Sequence, residues 1–143
     1  MTIAPPPRTS RIDGARARYE QHGKVASPGR SVVMLYERLL RDLDDATIAI
    51  GARDNAAAHD ALIHAQRIVD GLDVSLDRSK WNGAGALGAV YEYLGHELVN
   101  ANLSKDQRRI AACRQVVEPL AEAWRGAWVE MAGAGAAAGA VPA

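Results

Sequence analysis

The fold is decided by the stretch VASPGRSVVMLYERLLRDL, residues 25–43, where a Pro-, Arg- and Gly-rich segment gives way to helix-forming sequence. Ser27 is a favoured N-cap residue, and Pro28 suits the first helical position because its missing N–H has no intrahelical partner there. These residues predict a first helix from about Pro28 to Ile50, followed by Gly51 as a C′ glycine.

The segment before this stretch is a poor candidate for a continuous helix. It contains APPPRTS and two interrupting glycines, Gly14 and Gly23. We therefore expect residues 1–26 to form a flexible N-terminal arm. This segment has no apolar core of signal-peptide length, which argues against secretion.

Three more helix-forming stretches follow. They run from near Asp54 to about Arg78, from about Ala84 to Asn102, and from the capping-box sequence SKDQ (104–107) to about Met131. Each helix carries apolar residues at three- and four-residue spacing, which predicts an all-α, antiparallel four-helix bundle over residues 27–131. The Ala- and Gly-rich residues 132–143 predict a disordered C-terminal tail.

The balance of charges and the single cysteine limit the possible functions. The chain has 17 basic and 17 acidic residues, so it lacks the positive excess that attracts nucleic acid or an anionic membrane. Cys113 has no second cysteine to pair with, which excludes an internal disulfide and favours a reducing compartment. No apolar run is long enough to span a membrane. We therefore expect a soluble, cytoplasmic protein.

Two helices carry more apolar or small residues than one buried face requires. Apolar residues of the first helix cover about 160° of its circumference, against about 100° for an ordinary surface helix, and Met34 and Ile48 lie outside even that arc. On the third helix, Ala84, Gly88 and Gly95 form a row with almost no side chains, and Asn102 continues this row. Either these faces pack between neighbouring helices, or they receive a partner segment as a groove receives a helix.

The sequence shows no recognisable catalytic or metal site. Asp60 precedes His64 by four residues, and Glu92 precedes His96 at the same spacing, whereas di-iron bundles use a Glu-x-x-His spacing. We interpret both pairs as solvated contacts along a helix. Cys113 falls on the apolar register of the fourth helix, which predicts a buried, unreactive thiol. The sequence therefore favours a protein that is not an enzyme and needs no cofactor or metal.

Four motifs follow one another along the chain. They are Tyr19 with ASPG (26–29) and MLY (34–36), then ALIHAQRIVDGLDVSLD (61–77), then LGAVYEYLGHELVNAN (87–102), and last Trp124 near the end of the fourth helix. In this order and at this spacing, they resemble the motifs of the flagellar export chaperone FliS family. The resemblance covers about residues 19–128.

The resemblance implies a cytoplasmic export chaperone whose four-helix bundle binds the C-terminal segment of flagellin. In the family that segment is disordered when free, and binding blocks premature polymerisation and presents the subunit to the export gate protein FlhA. The N-terminal arm with Tyr19 would lie over part of the groove in the empty chaperone. Besides Tyr19, the matching stretches imply these flagellin-binding residues: Ile68, Val69, Leu72, Leu87, Tyr91 and Leu94, with Gln66, Tyr93 and Gly95 at the edge.

Other functions stay open from the sequence alone. A helical-bundle adaptor or regulatory module that binds another amphipathic segment would show the same apolar stripes. A small metalloprotein on a four-helix scaffold would need bound metal. Exposed apolar faces can be self-complementary, so we expect a monomer or a weak dimer.

Overall fold

The computed structural model describes residues 28–77, 79 and 83–139, and helices make up almost all of that part of the chain. They are α1 (Pro28–Gly51), α2 (Asn55–Ser75), α3 (Ala84–Ser104) and α4 (Gln107–Gly139). The described residues contain no strand, so the all-α prediction is confirmed. The first helix begins at Pro28 as the sequence predicts, while Ser27 and the arm lie outside the described residues.

The four helices form a closed ring in which each contacts two neighbours. α1 lies against α2, α2 against α3, α3 against α4, and α4 against α1, whereas the backbones of the two diagonal pairs stay apart. Because short connections join successive helices, neighbours run antiparallel, and the predicted four-helix bundle is confirmed. No helix among the described residues is both long and apolar enough to cross a membrane.

The turn between α1 and α2 is made by Arg53 and Asp54. Arg53 takes a left-handed conformation with a φ of 58°, and the Asp54 carboxylate accepts a hydrogen bond of 3.0 Å from the Ala57 N–H. Gly51 itself stays within the helix and has no positive φ, so its predicted role as a C′ glycine is wrong. The chain continues as a helix through Gly51 and turns two residues later, where the Asp54 cap starts α2.

The predicted capping box at the start of α4 is also wrong. Ser104 is the last residue of α3, and its hydroxyl bonds back to the backbone of its own helix. The Asp106 carboxylate instead accepts a hydrogen bond of 2.8 Å from the Arg108 N–H. Gln107 donates from Nε2 to the Thr47 carbonyl of α1 at 2.9 Å, and so ties α4 to α1.

The last helix is longer than the sequence predicts. It continues past Met131 through the Ala- and Gly-rich segment as far as Gly139. Alanine is the strongest helix former, and frequent alanines offset the unfavourable contribution of the glycines between them. Trp128 lies beside Gly29 in the first turn of α1, so the residues of α4 beyond Trp128 extend past the end of α1.

The core is built on an aromatic cluster that joins three helices. Tyr36 of α1 is fully buried, and its hydroxyl lies 2.6 Å from the hydroxyl of Tyr91 on α3, diagonally across the bundle. The Trp124 ring of α4 stacks on Tyr36 with the ring centroids 6.5 Å apart. Burial raises the pKa of Tyr36, so its phenol stays neutral. Around this cluster pack buried residues of all four helices, among them Leu39, Leu43, Leu62, Val69, Leu94, Leu98, Ile110 and Val117.

A buried carboxylate lies between α1 and α2. Asp42 is 2 % exposed, and it pairs with Nδ1 of His64 and, at 3.3 Å, with Nε of Arg38. These two partners compensate the carboxylate for its loss of water. His64 therefore bonds to Asp42 of the neighbouring helix and not to Asp60, contrary to our interpretation of the sequence spacing.

We expect the hydroxyls of Tyr36 and Tyr91 to be energetically coupled. Tyr91→Phe leaves the buried Tyr36 hydroxyl without this partner and should lower the free energy of unfolding by about 1–3 kcal/mol. Adding Tyr36→Phe should then change stability much less, because both polar groups are gone. Urea unfolding of the wild type, both single variants and the double variant measures the coupling. Strictly additive losses would contradict the bond.

His64→Ala should also destabilise the bundle, because it leaves the buried Asp42 carboxylate with Arg38 alone. The expected loss is about 1–3 kcal/mol, below that of a fully buried pair because the His64 side chain is itself partly solvated. The matched control is His96→Ala on the exposed face of α3, which should change stability by less than about 0.5 kcal/mol. Equal urea midpoints for the two variants would show that the Asp42–His64 contact contributes nothing.

Candidate functional site

Most of the residues that the resemblance assigns to flagellin binding lie inside the bundle. None of these core positions is more than 7 % exposed: Ile68, Val69, Leu72, Leu87, Tyr91 and Leu94. They form the inner faces of α2 and α3. A client would reach their side chains only if these two helices moved apart. Tyr19 lies outside the described residues.

A hydrogen bond joins α2 and α3 along their outer seam and shows how the two helices align. Asn102 of α3 donates from Nδ2 to Nδ1 of His59 on α2, at 2.9 Å. The orientation of the amide follows from Lys105, whose ammonium donates to the side-chain oxygen of Asn102 and leaves Nδ2 as the donor. His59 therefore accepts through Nδ1 and carries its proton on Nε2.

Helical periodicity then places Gln66 across from Gly95. Gln66 is seven residues after His59 and Gly95 seven residues before Asn102, so on antiparallel helices both lie two turns from the bonded pair. Both residues are half-buried. A Cβ added at Gly95 would meet nothing within 4 Å, so the described chain leaves the space above it open.

Apolar side chains border this open position. Val99, one turn beyond Gly95, is 44 % exposed, and Leu103 a further turn along is 81 % exposed. Ile63, three residues before Gln66 on α2, is half-buried. We call the surface formed by Ile63, Gln66, Gly95 and Val99 the α2–α3 groove. Its open floor and apolar borders can receive one side of an amphipathic helix.

The row of small residues on α3 is only partly a surface. Ala84 and Gly88 are buried, whereas Gly95 and Asn102 are half-buried. The row faces α2, because Asn102 bonds to His59 there. The predicted shelf thus reaches the surface only in its second half, at Gly95.

Tyr93 lies on the opposite flank of α3, toward α4. One turn after it, Glu97 forms an ion pair with Arg109 of α4, with Oε1 3.1 Å from Nη1. The Tyr93 side chain is 43 % exposed. Helical periodicity therefore places Gln66 and Gly95 on the seam between α2 and α3, whereas Tyr93 lies on the other side of α3.

The surplus apolar surface of α1 has two origins. Val33 is buried because α1 packs against both α2 and α4, so a wide stripe is needed for the bundle itself. Met34 and Ile48 are 48 % and 70 % exposed, as their place outside that stripe predicts. Because α1 is diagonal to α3, these two side chains lie away from the α2–α3 groove.

Neither a metal site nor a reactive thiol is found among the described residues. Among them, no three His, Cys, Asp or Glu side chains are placed to hold a metal ion. Cys113 is fully buried, and burial, with a smaller effect of the Glu97 charge, raises its pKa to about 12. The thiol therefore stays protonated at neutral pH, and the prediction that Cys113 is buried is confirmed.

Known proteins match most of the chain. The family model described as flagellar protein FliS matches residues 12–130. The chain is 33 % identical over 108 residues to the flagellar secretion chaperone FliS of Bacillus subtilis (strain 168). This alignment covers 75 % of this chain and 80 % of the relative. It is 32 % identical over 102 residues to the flagellar secretion chaperone FliS of Salmonella typhimurium (strain LT2). This alignment covers 70 % of this chain and 76 % of the relative. These matches confirm the resemblance that the motifs indicate.

Proposed function

The chain belongs to the FliS family of flagellar secretion chaperones, and we propose that it binds the C-terminal segment of flagellin, prevents premature polymerisation and delivers flagellin to the flagellar type III export apparatus. Family membership supports a chaperone role in flagellar export. The proposal adds flagellin as the client, the export gate protein FlhA as the receiver of the loaded chaperone, and the cytoplasm as the place of action. It requires no catalytic step.

The observation that carries this proposal is the open α2–α3 groove. The space above Gly95 is unfilled by the described chain, and the apolar side chain of Val99 is left exposed next to it. An interior glycine destabilises a helix by about 0.5–1 kcal/mol relative to alanine, so an unfilled position of this kind suits close approach by another segment. An amphipathic client helix would cover the glycine and remove Val99 from water.

A client contacting all three edge positions must reach both flanks of α3. Gly95 lies on the flank of α3 toward α2, where Gln66 is located. Tyr93 lies on the flank toward α4, where Glu97 pairs with Arg109. A rigid helix covers one flank only. A segment that is disordered when free can instead follow the surface around α3 and fold as it binds. The arrangement therefore favours a client that wraps around α3, and it disfavours a client that docks as a single rigid helix.

The buried residues of α2 and α3 and the N-terminal arm would affect client binding in different ways. Ile68, Leu72 and Leu94 hold α2 and α3 together, so they act on binding mainly by fixing the groove. Tyr19, with the arm, would cover part of the groove in the empty chaperone. A cover of this kind would lower the apparent affinity by the fraction of time that it is closed.

Filling the open floor should block the client without disturbing the core. Gly95→Leu places a side chain where the client would lie, and it should weaken binding of the flagellin C-terminal segment by at least about tenfold. Isothermal titration with that segment from the same genome measures the loss. For the wild type we expect favourable enthalpy, unfavourable entropy and a negative heat-capacity change, as in coupled folding and binding.

The matched control is Gly85→Leu on the same helix. Gly85 is exposed, and an added Cβ there also meets nothing within 4 Å, but it lies near the start of α3 and away from the groove. Both substitutions remove a helical glycine, so both should raise stability slightly. Gly85→Leu should bind like the wild type. Unchanged binding by Gly95→Leu would exclude the α2–α3 groove, and a folded wild type that binds no flagellin segment would favour the adaptor function.

A further inference from the structure

We propose that Gln66 determines client selectivity: its amide pairs with an amide or hydroxyl side chain that the client seats over Gly95. This inference rests on the proposed function and goes beyond it, because it names the chemistry that the groove recognises. Gln66 is the hydrogen-bonding side chain of the groove, and helical periodicity places it across from the open position at Gly95.

The Gln66 amide is available for a partner. Among the described residues it makes no hydrogen bond, although it is half-buried in the seam between α2 and α3. Elsewhere along the seam, His59 and Asn102 bond to each other, and Lys105 bonds to Asn102. Gln66 is therefore the groove position with unused donors and an unused acceptor.

Covering this amide imposes a requirement on the client. In the free chaperone, water can satisfy a half-buried amide, but a helix lying over Gly95 would displace that water. An apolar residue there would leave the amide buried without a partner, which is unfavourable. A client amide or hydroxyl would replace the water bonds and so be preferred at this point.

The surroundings of Gln66 restrict where that polar side chain stands in the client. Ile63 and Val99 lie about one turn from the Gln66–Gly95 position, on either side of the seam. A helix seated here would thus present one polar side chain to Gln66 and apolar side chains one turn away to Ile63 and Val99. The bonded pair His59–Asn102 lies about 11 Å from Gln66 and Gly95, beyond Ile63 and Val99, and closes the floor at that end.

A double-mutant cycle tests the pairing. Gln66→Met keeps the length of the side chain and removes its hydrogen-bonding groups, and it should weaken binding of the flagellin C-terminal segment about five- to tenfold. Each Asn, Gln, Ser and Thr of that segment is then replaced by Ala. We expect one client position at which Ala weakens binding about five- to tenfold to the wild type and has almost no effect on Gln66→Met.

The control is Gln115→Met on the exposed face of α4, which should leave affinity unchanged. Equal or tighter binding by Gln66→Met, with no coupled client position, would overturn the inference. If Gly95→Leu still blocked the client in that case, the proposed function would stand without it. A folded wild type that fails to bind the segment at all would overturn both.

Discussion

The hydrogen bond between Tyr36 and Tyr91 joins two helices whose backbones do not touch. With Trp124 stacked on Tyr36, it connects α1, α3 and α4 at the centre of the bundle. Two buried hydroxyls that satisfy each other remove a penalty that either alone would carry. This pair therefore stabilises the centre of the bundle independently of the outer flanks of α3.

Two polar contacts join the C-terminal half of α3 to its neighbours in the ring. Asn102 bonds to His59 of α2 on one flank, and Glu97 pairs with Arg109 of α4 on the other. Gly95 lies two turns before Asn102 on the α2 flank, and Tyr93 lies one turn before Glu97 on the α4 flank. A client that follows both flanks would contact both of these residues.

Helical periodicity was enough to predict the bundle, and it placed Cys113 correctly inside it. It failed at the helix ends, because Gly51, Ser104 and Asp106 each offer a plausible boundary and only packing selects among them. It also missed Asp42, a charged residue on a buried face whose partner, His64, is on another helix. For the site, helical periodicity placed Gly95 in a row of small residues on the third helix but did not identify the helix that this row faces. That required the ring order of the helices, which short-range sequence patterns do not contain.

The most direct test of the account is to map the client on the folded protein by NMR. The uniformly ¹⁵N-labelled chain would be titrated with the C-terminal segment of flagellin from the same genome, and amide shift changes would be followed residue by residue. If the client binds in the α2–α3 groove and follows both flanks of α3, the largest shift changes occur at Ile63, Gln66, Tyr93, Gly95 and Val99. Met34 and Ile48, on the outer face of α1, are then unaffected. Changes confined to α1, or to the end of α4 beyond Trp128, would contradict it.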